Sequence, residues 1–365
     1  MNSAILLSSW DKVSREDLRR LLRKHTPDES VEILKREIPS GMPDKEKFER
    51  MTVSAAAQCM KAVIYGNDDY PDILINIPDP PVVLFYLGNF EGFLTMPAIA
   101  VIGSRRCTTY GRKVARTLAR EFVRNGVAVV SGLARGIDGE AHRGVVEAGG
   151  VTMAVLGNGL DSCYPPEHDR LSESILEKGV LLSEYPPGTE PARYRFPERN
   201  RLISGFSRGV VVVEAGRKSG TMITVNTALD QGRDVFAVPG EVTRALSMGT
   251  NMLLRDGAGV VITADDVLEP LGLAHDAESS RDTYEPENDT AKAILENLSI
   301  ETLHFNQLLR LVGVATAVLQ SELLSLEMAG VVSQHPGKFY SLGPAPGAQP
   351  QDADYFKDGF GRGDT

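Results

Sequence analysis

The stretch Ala98-Ile99-Ala100-Val101-Ile102-Gly103-Ser104-Arg105 decides the fold, because it joins a continuous apolar run to a short polar turn. An unbroken apolar run is typical of a parallel strand that is buried on both faces of its sheet. The sequence then alternates a helical pattern with further apolar runs, at 127–130, 151–156, 180–182, 210–213 and 235–238. Strands that alternate with helices predict an α/β fold with a doubly wound parallel sheet.

The chain has 365 residues, which is more than one typical domain, and its character changes at several points. Residues 1–95 predict a small helical domain followed by a proline-rich connector, and residues 96–272 hold the α/β pattern. Residues 273–289 are rich in acidic side chains and predict a flexible linker. Residues 290–343 predict three helices and a two-stranded hairpin, which together make a winged-helix domain. Residues 344–365, rich in Gly, Pro and Asp, predict a disordered tail.

Composition limits the class of protein. No apolar run approaches the ~18–20 residues that span a bilayer, so we expect no membrane segment. The N-terminus lacks the basic region of a signal peptide, and the three cysteines are far apart, which fits a reducing cytoplasm. The six histidines form no metal-binding spacing, so we expect no metal site. The net charge of -10 argues against a protein that coats duplex DNA, but it allows a focused basic cleft.

A basic segment at 190–208 runs against this acidic background, with five arginines and two glutamates. Tyr194 and Phe196 lie among the arginines. Guanidinium groups pair with phosphate oxygens, and exposed rings stack on unpaired bases. The segment therefore predicts a groove for single-stranded nucleic acid. Its alternative interpretation is a helix start that makes ordinary surface ion pairs.

Two strand-to-helix turns are candidate phosphate sites, because both lie beyond the carboxyl ends of predicted strands. The first is 103–106, and the second is 214–221, where the amide groups of Ser219, Gly220 and Thr221 could hold an anion. The alternative is that each is only a tight turn. The second turn lacks the Walker A order, and the segment 157–162 lacks the third glycine of a dinucleotide fingerprint. We therefore expect no nucleotide cofactor.

Groups suited to catalysis are few. Asp138 and His142 are four residues apart and share a helix face, so they could be ligands or an acid/base pair. The interpretation that we favour is structural, with Asp138 as a helix N-cap and His142 as a buried hydrogen-bonding group.

A series of short motifs then identifies the chain as similar to a known family. One of them is Phe196-Pro197-Glu198-Arg199-Asn200-Arg201, and the others lie at 101–105, 131–138, 157–161, 164–165, 183–188, 213–215, 219–220 and 235–240. The set resembles the DNA-processing protein A family (DprA, also called Smf). The resemblance implies a Rossmann-like sheet and a cytoplasmic bacterial protein that binds incoming single-stranded DNA during natural transformation. It further implies protection of the strand during competence, loading of the RecA recombinase for DNA recombination, a homodimer formed through the Rossmann-like domain, and no enzymatic activity.

The DNA contacts of the family carry over onto eight positions of this sequence: Arg105, Arg193, Phe196, Arg199, Asn200, Arg201, Ser219 and Gly220. Phe196 is expected to stack on a base, and its alternative is a core position beneath the following helix. The N-terminal region resembles the small helical (SAM-like) domain of the family only loosely.

Two other functions stay open at this point. The first is a nucleotide phosphoribohydrolase of the lysine-decarboxylase-like class, in which Glu214 could be catalytic. The second is a duplex DNA regulator that acts through the winged helix. Against the second, residues 311–337 contain no Lys or Arg, so we expect this domain to contact protein rather than duplex DNA.

Overall fold

The structure, a computed structural model, describes residues 1–274, 288–298, 302–328, 331–335 and 337–342. The chain divides into two compact units, Met1–Ala274 and His275–Thr365. The predicted acidic linker lies outside the described residues except at its two ends, and the predicted disordered tail lies wholly outside them.

Four helices open the first unit: α1 (Asn2–Ser9), α2 (Arg15–Leu22), α3 (Pro27–Glu37) and α4 (Lys45–Ala57). Three of them begin at a side-chain cap, because Ser14, Thr26 and Asp44 each accept a hydrogen bond from the backbone amide three residues later. These caps explain why the helices start where they do. The apolar stretch of α1 is short, so the sequence by itself gives little sign of this helix.

The sheet of the first unit has nine strands: β1 (Lys61–Ile64), β2 (Val83–Gly88), β3 (Ala98–Ile102), β4 (Ala128–Ser131), β5 (Thr152–Leu156), β6 (Val180–Ser183), β7 (Gly209–Val212), β8 (Asp234–Ala237) and β9 (Gly259–Val260). Their spatial order is β1-β2-β6-β5-β4-β3-β7-β8-β9. The strands from β6 to β9 along this order are parallel, whereas β1 and β2 join antiparallel to the β6 edge.

Helices cover both faces of this sheet: α5 (Asp72–Ile75), α6 (Phe90–Leu94), α7 (Thr109–Arg124), α8 (Ile137–Glu147), α9 (Asp169–Leu176), α10 (Arg195–Gly205), α11 (Thr221–Asp230), α12 (Met248–Arg255) and α13 (Asp265–Leu268). The alternation along β3 shows the two faces. Ile99 and Val101 belong to one core cluster, which also contains residues of α7 and α8, and Ala100 and Ile102 belong to another, which contains residues of α10 and α11. The predicted doubly wound α/β sheet is therefore confirmed.

The predicted boundary at residue 96 is not a boundary between separate bodies. Strands β1 and β2 precede it, yet they complete the sheet through antiparallel pairing with each other and with β6. Residues 1–274 form one compact unit as a result. Strand β1 has only four residues, so the sequence by itself gives little sign of it.

The second unit contains helices α14 (Asp289–Leu298), α15 (Phe305–Val312) and α16 (Thr316–Met328), and strands β10 (Leu303–His304), β11 (Val332–His335) and β12 (Phe339–Leu342). The three strands pair in the order β10-β12-β11, and a separate apolar cluster around Leu308 and Leu323 forms the core of this unit. The predicted winged-helix domain is confirmed. Among the described helices, none is by itself long and apolar enough to cross a membrane, although the sharply bent pair Phe305–Val312 and Thr316–Glu327 reaches those limits jointly.

Candidate nucleic-acid interface

The main cleft of the first unit lies where the winding of the sheet reverses. From β3 the chain builds β4, β5 and β6 on one side, then crosses back through α10 to place β7 on the other side of β3. Loops that follow β3 and β7 therefore diverge and leave a crevice at the carboxyl ends of the strands. We call this the switch-point cleft; it has a volume of about 820 Å³.

Seven of the eight predicted DNA contacts line the switch-point cleft: Arg105, Arg193, Phe196, Arg199, Asn200, Ser219 and Gly220. They come from three separate parts of the chain, which are the loop after β3, the start of α10 and the start of α11. The fold thus brings together side chains that are more than one hundred positions apart in the sequence. Arg201 is the exception among the eight.

Phe196 lies at the side of the cleft and is half-buried. Its ring packs over Gly157, where a β-carbon would come within 2.9 Å of the ring. The ring of Tyr164 lies 5.5 Å away at an interplanar angle of 31°, and the Cζ atom of Arg105 lies 5.1 Å from the centroid of Phe196. The geometry therefore agrees in part with both interpretations of Phe196. The ring packs against the protein, as a core residue would, and it also borders the cleft, where it could stack on a base.

Arg199 forms part of the cleft wall as a buried cation, only 3% exposed. Its Nη1 donates to the carbonyl oxygen of Gly132 at 2.9 Å, and its Nε has no hydrogen-bond partner among the described residues. Burial lowers the pKa of Arg199 to about 10, while the nearby Asp138 carboxyl opposes this shift. Arg199 is held by the protein itself and is less free to meet a strand than the exposed Arg105 and Arg193.

Arg201 was predicted to contact DNA, but the structure directs it away from the cleft. Its guanidinium donates to Asp79 at 3.1 Å and to Glu184 at 2.7 Å. Asp79 also receives hydrogen bonds from Arg15 and Arg19 of α2. Because the side chains of Arg201 and Glu184 are both buried, we interpret Arg201 as an internal ion-pair partner that, through Asp79, fixes α10 against the N-terminal helices.

The start of α11 borders the cleft, but two of the three amides predicted there to hold an anion are already bonded. The Ser219 amide donates to the Gly216 carbonyl oxygen at 3.1 Å, and the Thr221 amide donates to the Ser219 hydroxyl. Gly220 is the N-cap and provides no side-chain cap. A β-carbon at Gly220 would meet no atom within 4 Å, so an incoming group can approach the backbone closely there. Ser219 accepts a hydrogen bond from the amide of Thr221 at 3.2 Å and donates to the Thr221 hydroxyl at 2.9 Å. A phosphate group could therefore approach closely at Gly220, but it would not meet a full set of unbonded amides.

The buried acidic and imidazole groups near the cleft have structural partners. Gly136, and not Asp138 as predicted, is the N-cap of α8, and the Asp138 carboxylate instead accepts from the amide of Gly132 at 3.2 Å. The Thr152 hydroxyl donates to the Val129 carbonyl, so it accepts from Nδ1 of His142 at 2.8 Å. Burial lowers the pKa of His142 to about 3, and nearby cationic groups reinforce this. This geometry agrees with a structural role for His142.

Glu214 is the candidate catalytic residue of the enzyme alternative. It follows β7, and its side chain is buried against the start of α7. Its carboxylate accepts from the Thr108 amide at 2.8 Å and from the Thr108 hydroxyl at 2.5 Å. It also packs against Gly111, where a β-carbon would collide with it. Within the described ranges, no cluster of three or more His, Cys, Asp or Glu side chains has a geometry that could hold a metal ion.

The sequence interpretation placed Arg106 in a candidate phosphate turn but not among the eight DNA contacts, although Arg106 also lines the cleft. A pattern that could have revealed it was present. Residues 105–124 carry seven Lys and Arg side chains and one carboxylate, which is a stronger imbalance than in the segment 190–208. The pattern is less distinct there because the segment lies mostly within a helix and exposes one ring, Tyr110.

Comparisons with known proteins agree with this geometry. The family model described as DNA recombination-mediator protein A matches residues 61–272, and that of the DprA winged helix domain matches residues 278–338. Protein Smf of Escherichia coli is 38% identical over 284 residues, which are 76% of each chain. The solved structure of DNA processing protein A from Streptococcus pneumoniae is 37% identical, with a TM-score of 0.59, over 71% of this chain and 87% of that one.

A second solved structure is that of DNA processing protein A from Helicobacter pylori, which is described by its single-stranded DNA binding mode. It is 29% identical, with a TM-score of 0.54, over 59% of this chain and 97% of that chain.

Proposed function

This chain belongs to the DNA recombination-mediator protein A family, and from that premise we propose that it binds single-stranded DNA in the switch-point cleft. We further propose that it protects incoming DNA during natural transformation and loads the RecA recombinase onto it. These roles follow from the family resemblance, and they make the chain a DNA-binding protein of the cytoplasm, active in competence and recombination, without enzymatic activity.

The observation that carries the proposal is the composition of the cleft wall. Exposed Arg105 and Arg193, a ring at Phe196 and free backbone approach at Gly220 border one cavity. Phosphates need cations or amides, and unpaired bases need a flat apolar face. The cleft supplies both kinds of contact side by side. A paired base cannot turn its face toward a side ring, so this combination favours a single strand over a duplex.

The roles within the proposed site differ between residues. Arg105 and Arg193 act on phosphates, Ser219 and Gly220 present the start of α11 to a phosphate, and Asn200 is free to bond to a base or sugar. Arg199 supports the wall from its buried position. We exclude Arg201 from the proposed phosphate contacts because Asp79 and Glu184 already bind its guanidinium.

Dimerisation through the Rossmann-like domain remains part of the proposal. The exposed edge of the sheet at β9 supports it, since Val260 and Ile262 are 49% and 60% exposed there and Val242 is 79% exposed in the loop after β8. Exposed apolar side chains beside an unpaired edge strand favour association with a second copy. Two clefts in one dimer would raise the avidity for a long strand without any new contact.

The position of Glu214 weighs against the phosphoribohydrolase alternative. Its carboxylate is bonded to the start of α7 and is not among the residues that line the cleft. A general acid or base must reach the reacting bond directly or through one water. Incubating the protein with nucleoside monophosphates and measuring base release tests this alternative, since release at enzymatic rates would favour it.

The decisive experiment for DNA binding is a gel shift with matched single-stranded and double-stranded oligonucleotides, without any nucleotide cofactor. We expect the single strand to bind more tightly. Equal or tighter binding of the duplex would contradict the proposal and would favour the duplex-regulator alternative. For the proposed loading step, RecA filament formation on strands already covered by a single-strand-binding protein should accelerate when this protein is added.

A further inference from the structure

We propose that the outward surface of α7 is a second phosphate-binding site, along which a single strand continues after it leaves the switch-point cleft. We call this surface the cationic face of α7, and it consists of Arg112, Lys113, Arg116, Arg120 and Arg124. The inference rests on the proposed function, because it extends the path of the same strand. Its ligand class is the sugar-phosphate backbone of single-stranded DNA.

Helical geometry gathers these five cations on one side. With about 3.6 residues per turn, positions 112, 116, 120 and 124 form one row, and position 113 falls within the same arc of about 120°. The side chains that α7 buries lie on the opposite side of the helix: Gly111, Ala115, Leu118, Ala119 and Phe122. Burial of the apolar side against the sheet therefore directs the cations outward together.

Most of this charge is not neutralised within the protein. Glu121 is the only acidic residue of α7, and it is half-buried. Arg116 forms ion pairs with Glu140 and Glu147 of α8. Among the residues that the structure describes, no carboxylate oxygen lies within 4.0 Å of the guanidinium groups of Arg112, Arg120 or Arg124. Arg112 does lie beside the Cys107 thiol, and the charge of Glu121 partly offsets those of Arg120 and Arg124. Three guanidinium groups without a close ion pair, in a protein with a net charge of -10, still form a local site of attraction for an anion.

The cationic face begins where the cleft ends. Arg105 and Arg106 both line the cleft, and Thr108, two residues later, is the N-cap of α7. The helix has 16 residues, so its outward face extends for about 24 Å. A strand that passes Arg106 thus meets Arg112 in the first turns of the helix and Arg120 and Arg124 beyond. This continuity with the cleft favours the strand over an unrelated duplex or an anionic membrane.

The test removes the unpaired charges and compares two strand lengths. The variant combines Arg112→Gln, Arg120→Gln and Arg124→Gln in the full chain. One control, Lys24→Gln with Arg36→Gln and Lys45→Gln, removes three exposed cations from the N-terminal helices and changes the net charge equally. A second control replaces the three α7 arginines by lysine and keeps the charge. The probes are oligothymidylates of about 6 and about 20 nucleotides, which lie at and beyond the usual reach of one binding groove.

For the long strand, the slope of log affinity against log salt should fall by about 2, since each lost phosphate contact removes about 0.7. The ratio of the wild-type affinity to the variant affinity should therefore decrease roughly 20-fold between 50 mM and 200 mM salt. With the short strand, the glutamine variant should show the same slope as the wild type. With the long strand, the N-terminal control and the lysine control should each show the wild-type slope. Melting temperatures should agree among the variants, because Arg112 and Arg124 are exposed, Arg120 is only half-buried, and none of the three forms a close ion pair.

Other outcomes would overturn the inference. An unchanged slope for the long strand would exclude the second site while leaving the cleft intact. An equal loss for the short strand would assign these cations to the cleft itself. A loss confined to a duplex, or to vesicles that contain phosphatidylserine, would assign the surface to a different partner. If the wild type binds neither strand, the proposed function itself fails, which is a distinguishable result.

Discussion

The guanidinium carbon of Arg105 lies 5.1 Å from the centroid of the Phe196 ring, although strands β4, β5 and β6 separate the two residues along the chain. Within a nucleotide, phosphate and base are neighbours, so a cation beside a ring can meet both parts of one nucleotide. Arg105 lies in the loop after β3, and Phe196 lies near the start of α10. The pair exists only because β3 is central in the sheet and α10 crosses back over it.

The first prediction concerns the different roles of Phe196 and Arg105 in binding a single strand. Phe196→Leu should keep most of the packing over Gly157 but lose the aromatic face. Loss of one stacked base should weaken binding of single strands by roughly 1–3 kcal/mol and leave the salt slope unchanged. Arg105→Ala should instead reduce the slope by about 0.7. Fluorescence anisotropy titrations at several salt concentrations measure both quantities.

The control for this pair is thermal stability. A Phe196→Leu variant that melts like the wild type and binds single strands equally well would show that the ring acts only through packing. An Arg105→Ala variant with an unchanged slope would remove Arg105 from the phosphate contacts.

The second prediction separates two arginines that the sequence treated alike. Arg193→Ala should weaken binding of every single strand without a change in melting temperature, because Arg193 is exposed. Arg201→Ala should lower the free energy of unfolding by about 1–3 kcal/mol, since it removes the hydrogen bond to the buried Glu184 carboxylate, while Arg15 and Arg19 still bind Asp79. Urea unfolding and strand binding measured on both variants test this. A stable Arg201→Ala variant with a reduced salt slope would restore Arg201 to the cleft.

The third prediction concerns the sheet edge. Ile262→Arg places a charge in the exposed apolar surface beside β9 and should yield a monomer, whereas the wild type should scatter light as a particle of twice the 39.6 kDa chain mass. Val53→Arg is the matched control, because Val53 is 69% exposed on α4, away from that edge. A wild-type monomer would exclude the dimer. A dimer that persists in Ile262→Arg would mean that the two copies associate through another surface.

The fourth prediction concerns the winged helix. Its α16 exposes Val318 and Leu324 and carries no Lys or Arg, so it lacks the cations that position a helix on duplex DNA. A chain that ends at residue 274 should therefore bind a duplex as weakly as the full chain does. Gel shifts at physiological salt compare the two. Tighter duplex binding by the full chain would assign DNA contact to the second unit.

The fifth prediction concerns pH. His142 has a pKa of about 3 in the folded protein, well below the usual value of 6.5, because burial disfavours its charged form. The unfolded chain therefore takes up a proton between these values that the folded chain does not. Stability from this group is present above pH 6.5 and is lost as the pH falls toward 3. Between pH 7 and pH 5 the loss should be about 2 kcal/mol.

Urea unfolding of the wild type and of His142→Gln at both pH values checks this effect. The variant should lose about 2 kcal/mol less than the wild type over the same interval. Parallel losses in the two proteins would mean that His142 does not titrate differently in the folded and unfolded states.

The sequence was informative where local pattern determines structure. Apolar runs located the strands from β3 to β8, and the position of their carboxyl ends located the cleft at the turns 103–106 and 214–221. Strand β1 escaped notice because its four residues, with only two fully buried, give no periodicity to detect. The fold class therefore followed from the sequence, while its antiparallel edge did not.

The site was harder to predict because charge partners depend on distant residues. Arg199 and Arg201 look equivalent in the sequence, being two positions apart on one helix. Their partners, Gly132 for the first and Asp79 with Glu184 for the second, are brought to them only by the folding of the sheet and the N-terminal helices. The direction of an arginine side chain is therefore a property of the tertiary structure.

The packing of Phe196 over Gly157 has a consequence for how relatives can diverge. A β-carbon at position 157 would occupy space within 2.9 Å of the ring, so an aromatic residue at 196 requires the absence of a side chain at 157. Position 196 can lose its ring while position 157 stays glycine, but position 157 can gain a side chain only after the ring is lost. Across many homologues, the two positions should therefore be inherited as a pair, with larger residues at 157 found only in chains that have lost the ring.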